Sequence, residues 1–147
     1  MEFITVEQFK EQPVEVQKVF LDWWKPSVGD IYSFIDLEEY SNDTCLIQCL
    51  SSPIQIIVAS NCKHEGNRIP LFTEGQLRKF IEDKSNGIVK LIQWHIEDSQ
   101  ISKRGYAIDI LRKNEYHVTY HYKDLGEDLL QAYWKVACMV AKEENKN

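Results

Sequence analysis

Ile88-Val89-Lys90-Leu91-Ile92-Gln93-Trp94-His95-Ile96-Glu97, then Tyr106-Ala107-Ile108-Asp109-Ile110-Leu111-Arg112, then Tyr116-His117-Val118-Thr119-Tyr120-His121-Tyr122, is the part of the chain that decides its fold. Successive side chains of a strand point to opposite faces, so residues two apart share a side. Ile88, Ile92, Trp94 and Ile96 share one face of the first run. Tyr106, Ile108 and Ile110 share one face of the second, and Tyr116, Val118 and Tyr120 one face of the third. Three consecutive β-rich runs joined by short polar segments predict an antiparallel meander. To bring the three apolar faces to one side, the second hairpin needs an odd loop such as Arg112-Lys113-Asn114, because a one-residue slip inverts a strand.

Outward from this meander, helices bracket the sheet. Ile4-Thr5-Val6-Glu7-Gln8-Phe9 places Thr5 at an N-cap with Gln8 three residues on, and Ile4 and Phe9 at the staple positions. Phe72-Thr73-Glu74-Gly75-Gln76-Leu77 repeats that grammar ahead of a middle helix spanning residues 74–84. Pro13 suits a first helical turn, and Val16, Val19, Phe20 and Trp23 then recur at helical spacing. Pro26 closes that helix, and residues 25–30 turn into a strand over 31–36. Residues 44–60, rich in β-formers, predict two strands broken near Ser51-Ser52-Pro53. The last helix is expected from Asp124, with Glu127 completing a capping box. Leu125, Leu129, Tyr133, Val136 and Val140 form its inner stripe, widened by Leu130, Trp134 and Cys138. The expected fold class is α+β: one domain over residues 1–147, an antiparallel curved sheet or half-barrel with N-terminal helices, a middle helix and a C-terminal helix. Residues 142–147 read as a frayed polar tail.

A chain of 147 residues can bury a core without metal or disulfide. Its 17 basic against 23 acidic residues give a net charge of −6, which makes a nucleic-acid partner unlikely, since phosphate neutralisation supplies most of that affinity. The same charge suits a protein partner that is itself basic. Met1-Glu2-Phe3-Ile4-Thr5 lacks the basic and apolar regions of a signal peptide. No run approaches the ~18 apolar residues of a membrane span, so no membrane partner is expected. The four Cys follow no disulfide-dense pattern, and the expected setting is the cytoplasm with free thiols.

Trp23-Trp24-Lys25-Pro26-Ser27-Val28-Gly29-Asp30, Ile69-Pro70-Leu71-Phe72-Thr73-Glu74-Gly75-Gln76-Leu77, and the closing helix with Leu129-Leu130 and Tyr133-Trp134 together resemble small uncharacterised proteins of phages and prophages of Gram-positive bacteria. The resemblance runs through most of the chain in order. It implies an accessory protein working in the cytoplasm of a bacterial host, of a kind that often binds and modulates a host or phage protein. It carries no reaction and no active-site residues.

Chemistry-bearing residues are sparse. Cys45 and Cys49 share a strand face but lie ~13 Å apart along it, beyond the ~7 Å a disulfide spans; they read as buried structural thiols. Cys62-Lys63-His64 offers two zinc-ligand types without a partner pair, so no metal site and no cofactor are expected. His117 and His121 alternate with Val118 and Tyr120, which places them on the polar face with His95, Asp109 and Thr119. A meander that gathers His95, Asp109, His117 and His121 makes an acid–base or ligand cluster; a dispersed set is a solvated sheet face. No phosphate loop, nucleophile elbow, zinc-binding helix or dinucleotide fingerprint is present.

The remaining candidates are interface residues. Glu38-Glu39-Tyr40-Ser41-Asn42-Asp43 is an acidic loop whose Glu38, Glu39, Tyr40 and Asp43 suit a basic partner. Trp23 and Trp24 point about 100° apart on a helix, so Trp23 is expected in the core and Trp24 at its margin, under the Pro26 turn or exposed as an anchor. Trp134, on the over-wide face of the last helix, is a route to a homodimer. The leading expectation is a non-enzymatic protein that acts by protein–protein binding. A small-ligand or nucleotide-handling domain built on the His/Asp cluster is the alternative, and single-strand stacking a third.

Overall fold

The computed structural model describes residues 2–35, 45–114 and 117–146. It is α+β, with five helices and two three-stranded antiparallel sheets among the described residues, neither closed into a barrel. The chain divides into two compact units, one of Ile4–Phe72 and the other of Thr73–Asn147 with Met1–Phe3.

In the first unit, α1 (Val6–Lys10) opens on the predicted capping box, with Thr5 accepting from Gln8 N–H and Gln8 accepting from Thr5 N–H. α2 (Val14–Trp23) follows, starting beside Pro13. Phe9, Phe20 and Phe72 pack in series as tilted ring pairs at separations of 6.2 and 5.7 Å. The sheet takes the order β2-β1-β3, with β1 (Ile31–Ile35) between β2 (Cys45–Cys49) and β3 (Arg68–Pro70).

The second strand expected after Pro53 is a helix, α3 (Pro53–Cys62). The Val and Ile density of residues 54–58 favours β by propensity, but the start signal wins. Ser52 accepts from Gln55 N–H, Gln55 accepts from Ser51 N–H, and Pro53 supplies the preset first turn.

In the second unit, α4 (Glu74–Ser85) carries the Thr73/Gln76 capping box and ends on Asn86 in the left-handed region. The meander is present as β4 (Gly87–Glu97), β5 (Ser102–Arg112) and β6 (Val118–Tyr122), in that order. Its facing differs from the expectation. Asp98 and Ile101 exchange both backbone hydrogen bonds around the two-residue loop Ser99-Gln100. That turn sets Val89 opposite Ile110 and Leu91 opposite Ile108. Ile108 and Ile110 therefore share a face with Val89 and Leu91, and Ile88, Ile92, Trp94 and Ile96 lie on the other side. Tyr120 stands opposite Ile110, and a bulge between Ile110 and Leu111 sets Val118 opposite Leu111. Tyr116 lies outside the described residues.

The last helix, α5 (Leu129–Asn145), is capped by Asp128 and starts four residues later than a cap at Asp124 implies. Gly126, at φ +87°, belongs to a left-handed turn that no continuing helix accepts. Leu125 N–H and Gly126 C=O pair instead with Tyr106 of β5, and Asp128 is the N-cap, accepting from Gln131 N–H. The helix also runs on to Asn145, through most of the expected frayed tail. α5 packs along α4 and against β5. Of its wide apolar stripe, Leu130, Tyr133, Trp134, Val136, Cys138 and Val140 are buried, and Leu129 is partly exposed.

Candidate functional site

Trp24 is not a surface anchor. It leaves α2 at the C-cap with ψ 120°, so its ring no longer follows the helical wheel, and it is only 2% exposed. Its indole N–H donates to Asp30 Oδ2 at 2.9 Å, and the same oxygen accepts from Ser27 N–H at 3.0 Å. Gly29, at φ +93°, completes the turn, and Lys63 caps the end of α2 by donating to Trp24 C=O at 2.8 Å. The Trp-Lys-Pro-Ser-Val-Gly-Asp run is thus a structural corner. Trp23 is the half-exposed member of the pair, its ring edge against Phe72 at 5.8 Å. Trp134, at 5% exposure, is buried as well, so its ring offers no surface to a second copy. Glu38, Glu39, Tyr40 and Asp43 lie outside the described residues.

The four histidine-cluster residues do not converge. Asp109 and His121 stand opposite each other on β5 and β6, with His121 Nδ1 bonded directly to Asp109 Oδ1. Asp109 is 8% exposed while His121 is open to solvent. His95 pairs in register with Arg104, whose parity puts it on the opposite face from Asp109. There it contacts Ser102 Oγ at 3.4 Å and Glu97 at 3.8 Å. His117 precedes β6, its C=O accepting from Arg112 N–H. It lines an open cleft of about 860 Å³ with Ser85, Asn86, Lys113 and Tyr120.

The two-residue remnant has a defined chemistry. A buried carboxylate accepting from Nδ1–H fixes the tautomer that leaves Nε2 as the basic nitrogen, an assignment made from the hydrogen bond. Acid–base catalysis also needs a reacting group within reach. Among the described residues no hydroxyl or thiol is bonded to His121.

The thiols divide by environment. Cys49 is exposed at the end of β2, contrary to the buried expectation, and Cys62 is intermediate. Cys138 is buried in α5, where loss of solvent pushes its thiol up to about 12 despite the Lys142 charge. His64 pairs with Asp22 at 3.1 Å. No group of three or more His, Cys, Asp or Glu among the described residues is placed to hold a metal ion, and no described helix is long and apolar enough to cross a membrane.

The surface that sequence reasoning missed is on α3. Ile54, Ile57 and Val58 fall at i, i+3 and i+4 and are 74%, 59% and 38% exposed, while Ala59 is the helix's buried side chain. Residues 44–62 contain no Asp, Glu, Lys or Arg in a chain that is 27% charged. Ile47 on β2 belongs to the same uncharged run and is 60% exposed. Singly exposed apolar residues are ordinary, whereas these three lie together on one helix face in an uncharged run. The legible signal was Ser52-Pro53-Ile54-Gln55 as a helix start, after which the 3.6-residue period gives the face.

Compared with protein-family profiles, curated proteins and solved structures, the chain matches none.

Proposed function

We propose that this protein works by binding another protein, as a phage- or prophage-type accessory factor in the cytoplasm of a bacterial host, and that α3 is its contact helix. The observation that carries the reading is the exposed, uncharged Ile54/Ile57/Val58 face. Such a face suits a helix-in-groove contact, with apolar anchors at i, i+3 and i+4. The acidic residues Glu38, Glu39 and Asp43 precede this uncharged run directly in sequence. The partner is accordingly a protein with an apolar groove rimmed by basic side chains, and a host or host-defence protein is the expected source.

Ile57→Asp tests this. At an exposed helical position it leaves stability within about 1 kcal/mol of wild type, and it places a charge on the proposed contact. The reading is supported when a protein captured from host lysate by the wild type, then purified, rebinds the wild type and not the variant. It fails when the two capture the same proteins. It also fails, as to the partner, when light scattering shows a dimer that Ile57→Asp dissolves.

A narrower second reading rests on the Asp109–His121 pair: a small-ligand site on that sheet face, with His121 as the contact. Ligand-induced thermal shifts that vanish in His121→Gln support it, and a shift unchanged by that substitution removes it.

A further inference from the structure

β4 is an edge strand, and it is protected along only part of its length. The hydrogen-bonded pair Asp98/Ile101 fixes the alternation of the hairpin: even-numbered β4 residues bond to β5, and odd-numbered ones direct N–H and C=O outward. At Val89 both outward groups are taken by α4. Glu82 Oε2 accepts from Val89 N–H at 3.3 Å, and Arg78 Nη2 donates to Val89 C=O at 3.4 Å. Arg78 and Glu82 are themselves ion-paired at 3.2 Å. The pair thus stands where a neighbouring strand would. Beyond it the outward groups of Leu91, Gln93 and His95 have no protein partner among the described residues. Unpaired strand edges of this length are normally covered or blunted.

Within the open stretch Leu91-Ile92-Gln93-Trp94-His95-Ile96-Glu97, residues 92–96 are symmetric in residue type about Trp94, and Leu91 and Glu97 flank them. Laid antiparallel on its own copy about that residue, Ile92 meets Ile96, Trp94 meets Trp94, Gln93 meets His95, and Leu91 meets Glu97. No like charges stand directly opposite, so a chain of net charge −6 meets itself without local repulsion. Odd residues face odd residues, which brings the outward backbone groups of one copy to those of the other. The register is bounded at one end by the Arg78–Glu82 clamp and at the other by the Ser99-Gln100 turn. Trp94 has room for this arrangement because its ring lies over Gly105 of its own sheet, where an added Cβ would sit 2.5 Å from Cζ2.

We propose that two copies of this chain pair through β4, antiparallel about Trp94, to make one six-stranded sheet across a twofold axis. The contact is isologous, as a closed dimer requires, and it uses no residue of α3.

Sedimentation of the full chain up to about 100 µM, a range that captures modest interfaces, tests this with Gln93→Pro and Ile96→Lys. Proline at an outward position removes only the N–H that dimer pairing uses. Wild type is expected to sediment as a dimer and Gln93→Pro as a monomer with unchanged far-UV circular dichroism. Should the proline variant lose its fold, Ile96→Lys, at a position 56% exposed, decides in its place. In a Cys49→Ser background, Ile92→Cys mixed with Ile96→Cys is expected to form an intermolecular disulfide that neither forms alone. A monomeric wild type overturns the proposal, as does a dimer that survives both substitutions, or cross-linking of Ile92→Cys or Ile96→Cys through the introduced thiol without mixing.

Discussion

Asp30→Ala is expected to destabilise the chain by about 2–4 kcal/mol, because it removes one charged acceptor from two donors at once. Asp30 Oδ2 takes the Trp24 indole N–H at 2.9 Å and Ser27 N–H at 3.0 Å. Hydrogen bonds to a charged group contribute about 1.5–3 kcal/mol each, and a buried donor left unpaired costs about 1–3 kcal/mol. Asp30 is half-exposed, so water recovers part of the loss at Ser27, while Trp24, at 2% exposure, has little access to it. A double-mutant cycle with Trp24→Phe isolates the indole contact. Phe keeps most of the ring and drops the donor, and a coupling of about 1–2 kcal/mol is expected. Urea unfolding followed by far-UV circular dichroism reads all four species without depending on tryptophan fluorescence. A coupling below about 0.3 kcal/mol, the scale at which independent sites add, would refute the account of this corner. By the same geometry Trp24→Ala costs about 3–5 kcal/mol. Any loss of partner binding in that variant then reflects lost structure, which makes Ile57→Asp the informative substitution.

Three further outcomes follow from single environments. Ser33 Oγ is buried without a hydrogen-bond partner among the described residues, so Ser33→Ala is expected to raise stability in denaturant by up to about 1 kcal/mol; a lower midpoint contradicts it. Gly105→Ala places a Cβ 2.5 Å from the Trp94 ring and 3.2 Å from Gly126 C=O, and is expected to cost about 1–3 kcal/mol. Part of that cost should be recovered in the Trp94→Leu background, and purely additive thermal melts would contradict the close approach. The Cys138 thiol, raised from 9.0 to about 12 by burial, keeps its proton longer when folded than when unfolded. Its contribution is complete below pH 9 and is lost as pH rises from 9 toward 12, by up to about 1.4 kcal/mol per pH unit. Cys138→Ala should flatten that slope. In thiol titration of the native chain at pH 8, Cys49 should react and Cys138 should not until unfolding.

The capping boxes at Thr5 and Thr73 were legible in the sequence because each is closed by residues three apart, whatever the rest of the chain does. The same short-range grammar was present at Ser52 and Asp128 and outweighed the signals first read there, β-propensity over 54–58 and Glu127 after Asp124. In both places composition or a nearer capping pair favours the other arrangement, and the cap before Pro53 and the left-handed φ of Gly126 decide against it.

What the sequence determined alone was the α+β class, the three-strand meander and the helix starts fixed by local hydrogen bonds. Which faces meet was decided by tertiary structure. The two-residue Ser99-Gln100 turn inverted the expected match of β4 to β5 and so separated His95 from Asp109, while the separate register of β6 on β5 set His121 opposite Asp109. The burial of Trp24 required Asp30 across a turn, and the exposure of Ile54, Ile57 and Val58 required a helix face with no cover among the described residues. Caps and periods are settled by neighbours in sequence. Register and exposure depend on residues far along the chain, and a local pattern leaves them open.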